Sequence, residues 1–334
     1  MKNIFKLFYV IFISIIFSSC KKSPQLQIPA MSQPEHFSFE ISLPLSERIK
    51  PMPESLLRLY RQMDNRPDYE AYKLSAVDKS LVLEYLSFLP SIYQKVFRDN
   101  CVGIYFIEGF IGNGIASWVA GRDNKVYFHI TLNPASLKDS LSKTLTERDR
   151  SCFIPAQGKN ITIDAGTKYK GLAYALFHEA THAVDYVKGV TPFVERNLPK
   201  KYWPKRNIKE NIFFNFWKDY DLPLKEKDYV GRTKITFYTL DNGPKLKMKE
   251  ASVIYKGLAR SSFISLYGSK NWAEDLAEMA TFQMITAKLG QPYIVTLSGF
   301  AKEDIVYKPM SSNRGKRAAE IMKILESIPV GSEK

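Results

Sequence analysis

Cysteine and histidine are the scarce residues of this chain: its 334 residues include three of the first and four of the second. Three cysteines exclude a small disulfide-stapled scaffold, and the ordinary content of 17 glycines excludes a collagen-like repeat. No apolar run long enough to cross a bilayer follows Phe17, which excludes a protease built from several membrane spans. No glycine-rich phosphate loop or basic-aromatic nucleic-acid motif accompanies the net charge of +14, so that charge reads as a lysine-rich solvated surface and nucleic acid is not an expected partner. What is present, 45% apolar and 25% charged residues, is the composition of a packed globular protein.

The amino end has its own grammar. Lys2 and Lys6 precede the apolar run 7–17, and Ser18, Ser19 and Cys20 follow it, which is the charged, apolar and small-residue order of an export signal. Cysteine directly after Phe-Ser-Ser resembles the bacterial lipoprotein lipobox. The resemblance implies lipid on the Cys20 thiol and a protein held at the membrane of the bacterial cell envelope, facing the periplasm or the cell surface. Residues 21–53 carry six prolines and read as a tether. Outside the cytoplasm Cys101 and Cys152 either pair or remain as two buried thiols; the sequence leaves both open.

Helical periodicity marks Leu56, Leu57, Tyr60 and Met63, then Val77, Leu81, Val82, Tyr85 and Leu86, with Pro90 ending the second run. Four β-prone runs, 102–110, 115–120, 126–132 and 160–164, predict a small, mostly antiparallel sheet, so the fold class is α+β. Residues 171–188 predict a helix stopped by Gly189, residues 271–289 a second ending at Gly290, and residues 313–328 a last amphipathic helix. Between them, residues 190–250 are basic and broken by prolines, with an aromatic amphipathic helix expected around Ile208 to Tyr220.

The helix at 171–188 contains His178-Glu179-Ala180-Thr181-His182, an H-E-x-x-H pattern. On an α-helix, residues i and i+4 lie about 40° apart and about 6 Å along the axis, so both imidazoles can reach one zinc ion. Glu179 is rotated about 100° from His178, which carries its carboxylate toward a metal-bound water as the candidate general base. A catalytic zinc needs a third protein ligand. Asp185 and Lys188 stand where the metzincin continuation needs Gly and His, and His36 and His129 fall in the expected tether and in a strand, so a carboxylate from another helix is the better donor. Glu274, Asp275 and Glu278 lie on the 271–289 helix, with Glu274 and Glu278 on one face.

In these features the chain resembles the gluzincin metallopeptidases of the anthrax lethal factor type. That pattern follows H-E-x-x-H with a Tyr and, seven residues later, E-x-x-A-E, matched here by Tyr267 and by Glu274-Asp275-Leu276-Ala277-Glu278. The resemblance implies His178, His182 and Glu274 as zinc ligands and Glu179 as base. It also implies that Glu278 supports a ligand histidine and that Tyr267 stabilises the oxyanion. It covers about 115 residues and implies a gluzincin-like domain over 54–334, preceded by a signal peptide at 1–19 and a tether at 20–53. Within that domain, 54–170 is its helical and sheet part and 171–334 carries the zinc site and further helices. The expected activity is zinc-dependent hydrolysis of peptide bonds in a peptide or protein substrate. The alternative is a non-catalytic surface lipoprotein that uses such a fold for adhesion or ligand capture, which needs neither Glu179 nor Tyr267.

Overall fold

The computed structural model describes residues 28–203 and 211–329, a mixed α+β arrangement. Its chain order begins with α1 (Glu54–Asp64), β1 (Glu70–Ala71), α2 (Ala76–Ser87) and α3 (Ser91–Asn100). Strands β2 (Cys101–Glu108), β3 (Gly114–Ala120) and β4 (Val126–Leu132) follow, then α4 (Leu141–Arg150), β5 (Asn160–Asp164) and α5 (Leu172–Lys188). The chain continues with α6 (Ala251–Arg260), α7 (Trp272–Gln283), β6 (Ile294–Ser298), β7 (Ile305–Tyr307) and α8 (Asn313–Glu326). Ser75 opens α2 with a reciprocal capping box to Asp78, and Gly189 closes α5 at φ +61°, the left-handed turn that a Cβ would strain.

The main sheet runs β1-β2-β4-β3. It is mostly antiparallel, with one exception: β2 pairs with β4 in parallel, while β3 pairs with β4 as a hairpin and occupies the sheet edge. The reason is burial on both faces. Ile104 and Phe106 of β2 join the core under α5, whereas Val102, Tyr105 and Ile107 pack with Leu56, Leu57 and Tyr60 of α1. A strand apolar on both sides belongs inside the sheet, and the β3–β4 hairpin supplies its second neighbour. The run 160–164 departs further, for β5 lies in a separate three-stranded sheet beside β6, with β7 beyond.

Residues 28–53 are not a free tether. Phe37, Ile49 and Met52 are buried, and the Phe37 ring sits 5.0 Å from that of His129. Arg48, also buried, donates to the carbonyls of Phe97, Arg98 and Cys101 at the end of α3, where a helix presents unpaired acceptors and partial negative charge. Prolines limit regular structure here to the short helical turns Ala30–Ser32, Pro34–His36 and Leu45–Arg48, without preventing docking.

The helix expected around Ile208 to Tyr220 is absent from its described part. Ile212–Asn215 is a 3-10 turn, and Trp217–Asp219 pairs with Leu222–Pro223. Phe213 and Trp217 are both fully buried, and Phe216 lies under the Arg317 guanidinium, so the aromatics anchor an irregular segment from several sides. Cys101 and Cys152 are separate buried thiols, each with its pKa pushed up by burial. Cys20 and the export signal lie outside the described residues.

Candidate metal centre

α5 is buried along nearly its whole length, packed against β3, β4, α3 and α7. That environment explains a sequence apolar on most sides yet carrying His178 and His182 along one stripe with Glu179 at its side. α7 brings Glu274 and Glu278 to the same stripe, and Asn271 caps its start by accepting from the Glu274 N–H. A run of π-helix, Met284–Lys288, extends α7.

Three ligand atoms converge between these helices. His178 Nε2 lies 3.1 Å from His182 Nε2 and 3.0 Å from Glu274 Oε2, and His182 Nε2 lies 3.3 Å from the same oxygen. Ligands about 2.0–2.1 Å from a tetrahedral zinc stand about 3.3–3.4 Å from one another, so the triangle is close to the right size. The three residues can hold a metal ion, and they are the one such group among the described residues.

Charge points the same way. Burial alone would lower the His178 pKa, yet its hydrogen bonds to Glu274 and Glu278 and the nearby acids hold it up at about 10. Burial would raise Glu274, but the two imidazoles keep it well below the usual carboxylate range. Glu274 and Glu278 bond to the His178 ring with Glu179 nearby, and Glu278 shares one buried guanidinium, Arg148, with Asp149. An excess of buried negative charge is costly unless a cation shares the site.

Glu278 accepts from His178 Nδ1 at 3.0 Å, which directs Nε2 and its lone pair toward the other ligands. Its remaining lone pairs take Tyr174 Oη at 2.8 Å, Arg148 Nη1 at 2.7 Å and the Ser265 hydroxyl. Arg148, Tyr174 and Ser265 were missed in the sequence reading. Tyr174 had a signal, four residues before His178 on the same helical face; Arg148, from the distant α4, had none.

The site opens into a cleft of about 310 Å³ walled by α5, the edge strand β3, Tyr267 and Tyr220. Gly114 admits this packing: a Cβ there would lie 2.7 Å from Leu132 and 3.0 Å from the Glu179 side chain. The Ala116 N–H of β3 donates to Glu179 Oε2 at 2.7 Å, and burial pushes the Glu179 carboxyl pKa up. Tyr267 lies with its ring 5.3 Å from that of His178, and burial, then Glu274 and Glu179, drive its pKa upward, so the phenol keeps its proton. Tyr220 is a second phenol on the same wall, its carbonyl accepting from the Trp272 N–H at the start of α7. His36 lies on a 3-10 turn away from the cleft, and His129 is a buried strand residue bonded to Tyr60, so neither joins the ligands.

Comparison with known proteins finds no family model, no curated protein and no solved structure that matches the chain.

Proposed function

We propose that this protein is a zinc-dependent endopeptidase of the gluzincin type, with His178, His182 and Glu274 as ligands. The observation that carries the reading is the convergence of two Nε2 atoms and one carboxylate oxygen within 3.3 Å at the floor of an open cleft. Zinc, when bound, supplies a Lewis acid that acidifies water and polarises a carbonyl.

The chain's own groups provide the rest. Glu179 is the proton acceptor: Ala116 holds Oε2, while Oε1 has no protein partner among the described residues. Burial favours its protonated form after transfer, which suits it to return that proton to the leaving amine. Tyr267 is proposed as the donor to the carbonyl oxygen as charge develops there, a role that requires a phenol still protonated at neutral pH. The substrate backbone is proposed to lie extended along β3, whose outer edge has no strand neighbour among the described residues and lines the cleft.

The sequence-based reading of Cys20 as a lipid attachment site completes the proposal and places the enzyme at the bacterial cell envelope. No described helix is long and apolar enough to cross a membrane. The test is mass-spectrometric mapping of new peptide ends after incubating a complex peptide library with the zinc-loaded protein, its Glu179→Gln variant and a chelated sample. New ends are expected only with the first. Zinc binding without any new ends would overturn the peptidase reading and favour the non-catalytic alternative.

A further inference from the structure

We propose that Arg148 is a positioning residue of the metal centre, acting on His178 through Glu278; the proposal rests on the zinc reading above. Arg148 belongs to α4, in the half of the chain that the sequence resemblance does not reach. Its side chain is 1% exposed and is held from several directions. Nη1 donates to Glu278 Oε2 at 2.7 Å, and Nε donates to Asp149 Oδ1 at 2.8 Å. The guanidinium carbon lies 4.9 Å over the Tyr174 ring. Asp149 is fixed in turn by the Tyr255 hydroxyl of α6.

A carboxylate offers about four lone-pair sites, and on Glu278 all four are filled. Tyr174 Oη and His178 Nδ1 lie on Oε1; Arg148 Nη1 and Ser265 Oγ lie on Oε2. The carboxylate plane cannot turn without breaking at least one charge-assisted bond. Of the four partners, Arg148 brings a permanent charge and a rigid fork whose other edge is anchored on Asp149. The orientation of the His178 ring, and so of its Nε2 lone pair, is therefore set from α4. Without the guanidinium, Glu278 is a fully buried anion steadied by hydroxyls and the imidazole it is meant to orient. A lysine keeps the charge but loses the fork, so it restores the function only in part.

Zinc affinity, measured on the full chain by competition with a fluorescent chelator, tests this. Arg148→Met is expected to weaken zinc binding about 10- to 100-fold and Arg148→Lys by less. The double variant Arg148→Met with Glu278→Gln is expected to bind zinc no more weakly than Glu278→Gln alone, because the two act in series. The double variant also removes both charges of the Arg148–Glu278 pair and leaves Asp149 bonded to Tyr255, so it keeps the comparison open if Arg148→Met, which strands two carboxylates, does not fold. Wild-type affinity in Arg148→Met or Arg148→Lys, or losses that multiply in the double variant, would overturn the proposal.

A second readout needs no zinc: the His178 Nδ1 proton should appear in NMR as a slowly exchanging, hydrogen-bonded signal. Arg148→Met and Arg148→Lys should speed its exchange. If the wild type binds no zinc, the metal reading fails, and unchanged exchange in both variants would separately sink the role of Arg148.

Discussion

The amide of Ala116 on β3 donates to Oε2 of Glu179 on α5 at 2.7 Å, joining the cleft's edge strand to its proposed base. This bond decides which substitution tests the base cleanly. Glutamine keeps an acceptor oxygen for Ala116, so Glu179→Gln should fold and bind metal like the wild type while turnover falls by at least about 10²-fold, the scale of general-base loss. Glu179→Ala should in addition lose about 1–3 kcal/mol of stability, because it leaves a buried N–H unpaired. Thermal melts of the two variants check the difference; equal melting temperatures would mean water replaces the carboxylate without cost.

Removal of either ligand histidine should empty the centre. Purified wild-type protein is expected to carry one zinc per chain by elemental analysis, and His178→Ala or His182→Ala to carry almost none after dialysis against a weak chelator. Glu274→Ala should behave alike, since its carboxylate lies within 3.3 Å of both Nε2 atoms. Full occupancy in the double histidine variant would remove the basis for the site.

Tyr267 and Tyr220 both line the cleft, so either phenol is a candidate for the proposed donor to the carbonyl oxygen. Tyr267→Phe should lower kcat by about 10²-fold while leaving KM, zinc content and melting temperature near wild type, as expected of a donor engaged mainly in the transition state. Tyr220→Phe should change turnover far less. The opposite ranking would assign the donor to Tyr220 and leave Tyr267 as packing against His178, 5.3 Å from its ring.

His129 gives the fold an acid-sensitive element away from the metal centre. Its Nε2 lies 3.1 Å from Tyr60 Oη, and full burial pushes its pKa down to about 3 from 6.5. The unfolded chain therefore takes up a proton below about pH 6.5 that the native chain refuses until about pH 3. Stability contributed at neutral pH is lost on acidification across that window, by up to about 1.4 kcal/mol for each pH unit. His129→Gln keeps a hydrogen-bonding side chain and cannot titrate. Its unfolding free energy should fall less steeply between pH 6.5 and 4, and parallel curves for the two proteins would refute the assignment.

The helix that carries the candidate metal ligands His178 and His182 was legible from the sequence alone because its information is local. His178 and His182 share a face through the pitch of an α-helix, Gly189 ends that helix through its left-handed φ, and the acids of α7 follow the same geometry. Tertiary structure alone decided what surrounds them. The parallel pairing of β2 with β4 follows from burial on both faces of β2, and β5 meets β6 across an interval with no local pattern to announce it. Docking of Phe37, Arg48 and Met52 likewise overrode the proline content of their segment. The same holds within the site: the Ala116 amide reaches Glu179 because β3 is the sheet edge beside α5, and Arg148 reaches Glu278 because α4 and α7 both pack on the helix that carries His178. Helical periodicity can specify which side chains share a face, whereas the group that meets that face depends on contacts made only when distant segments are buried together.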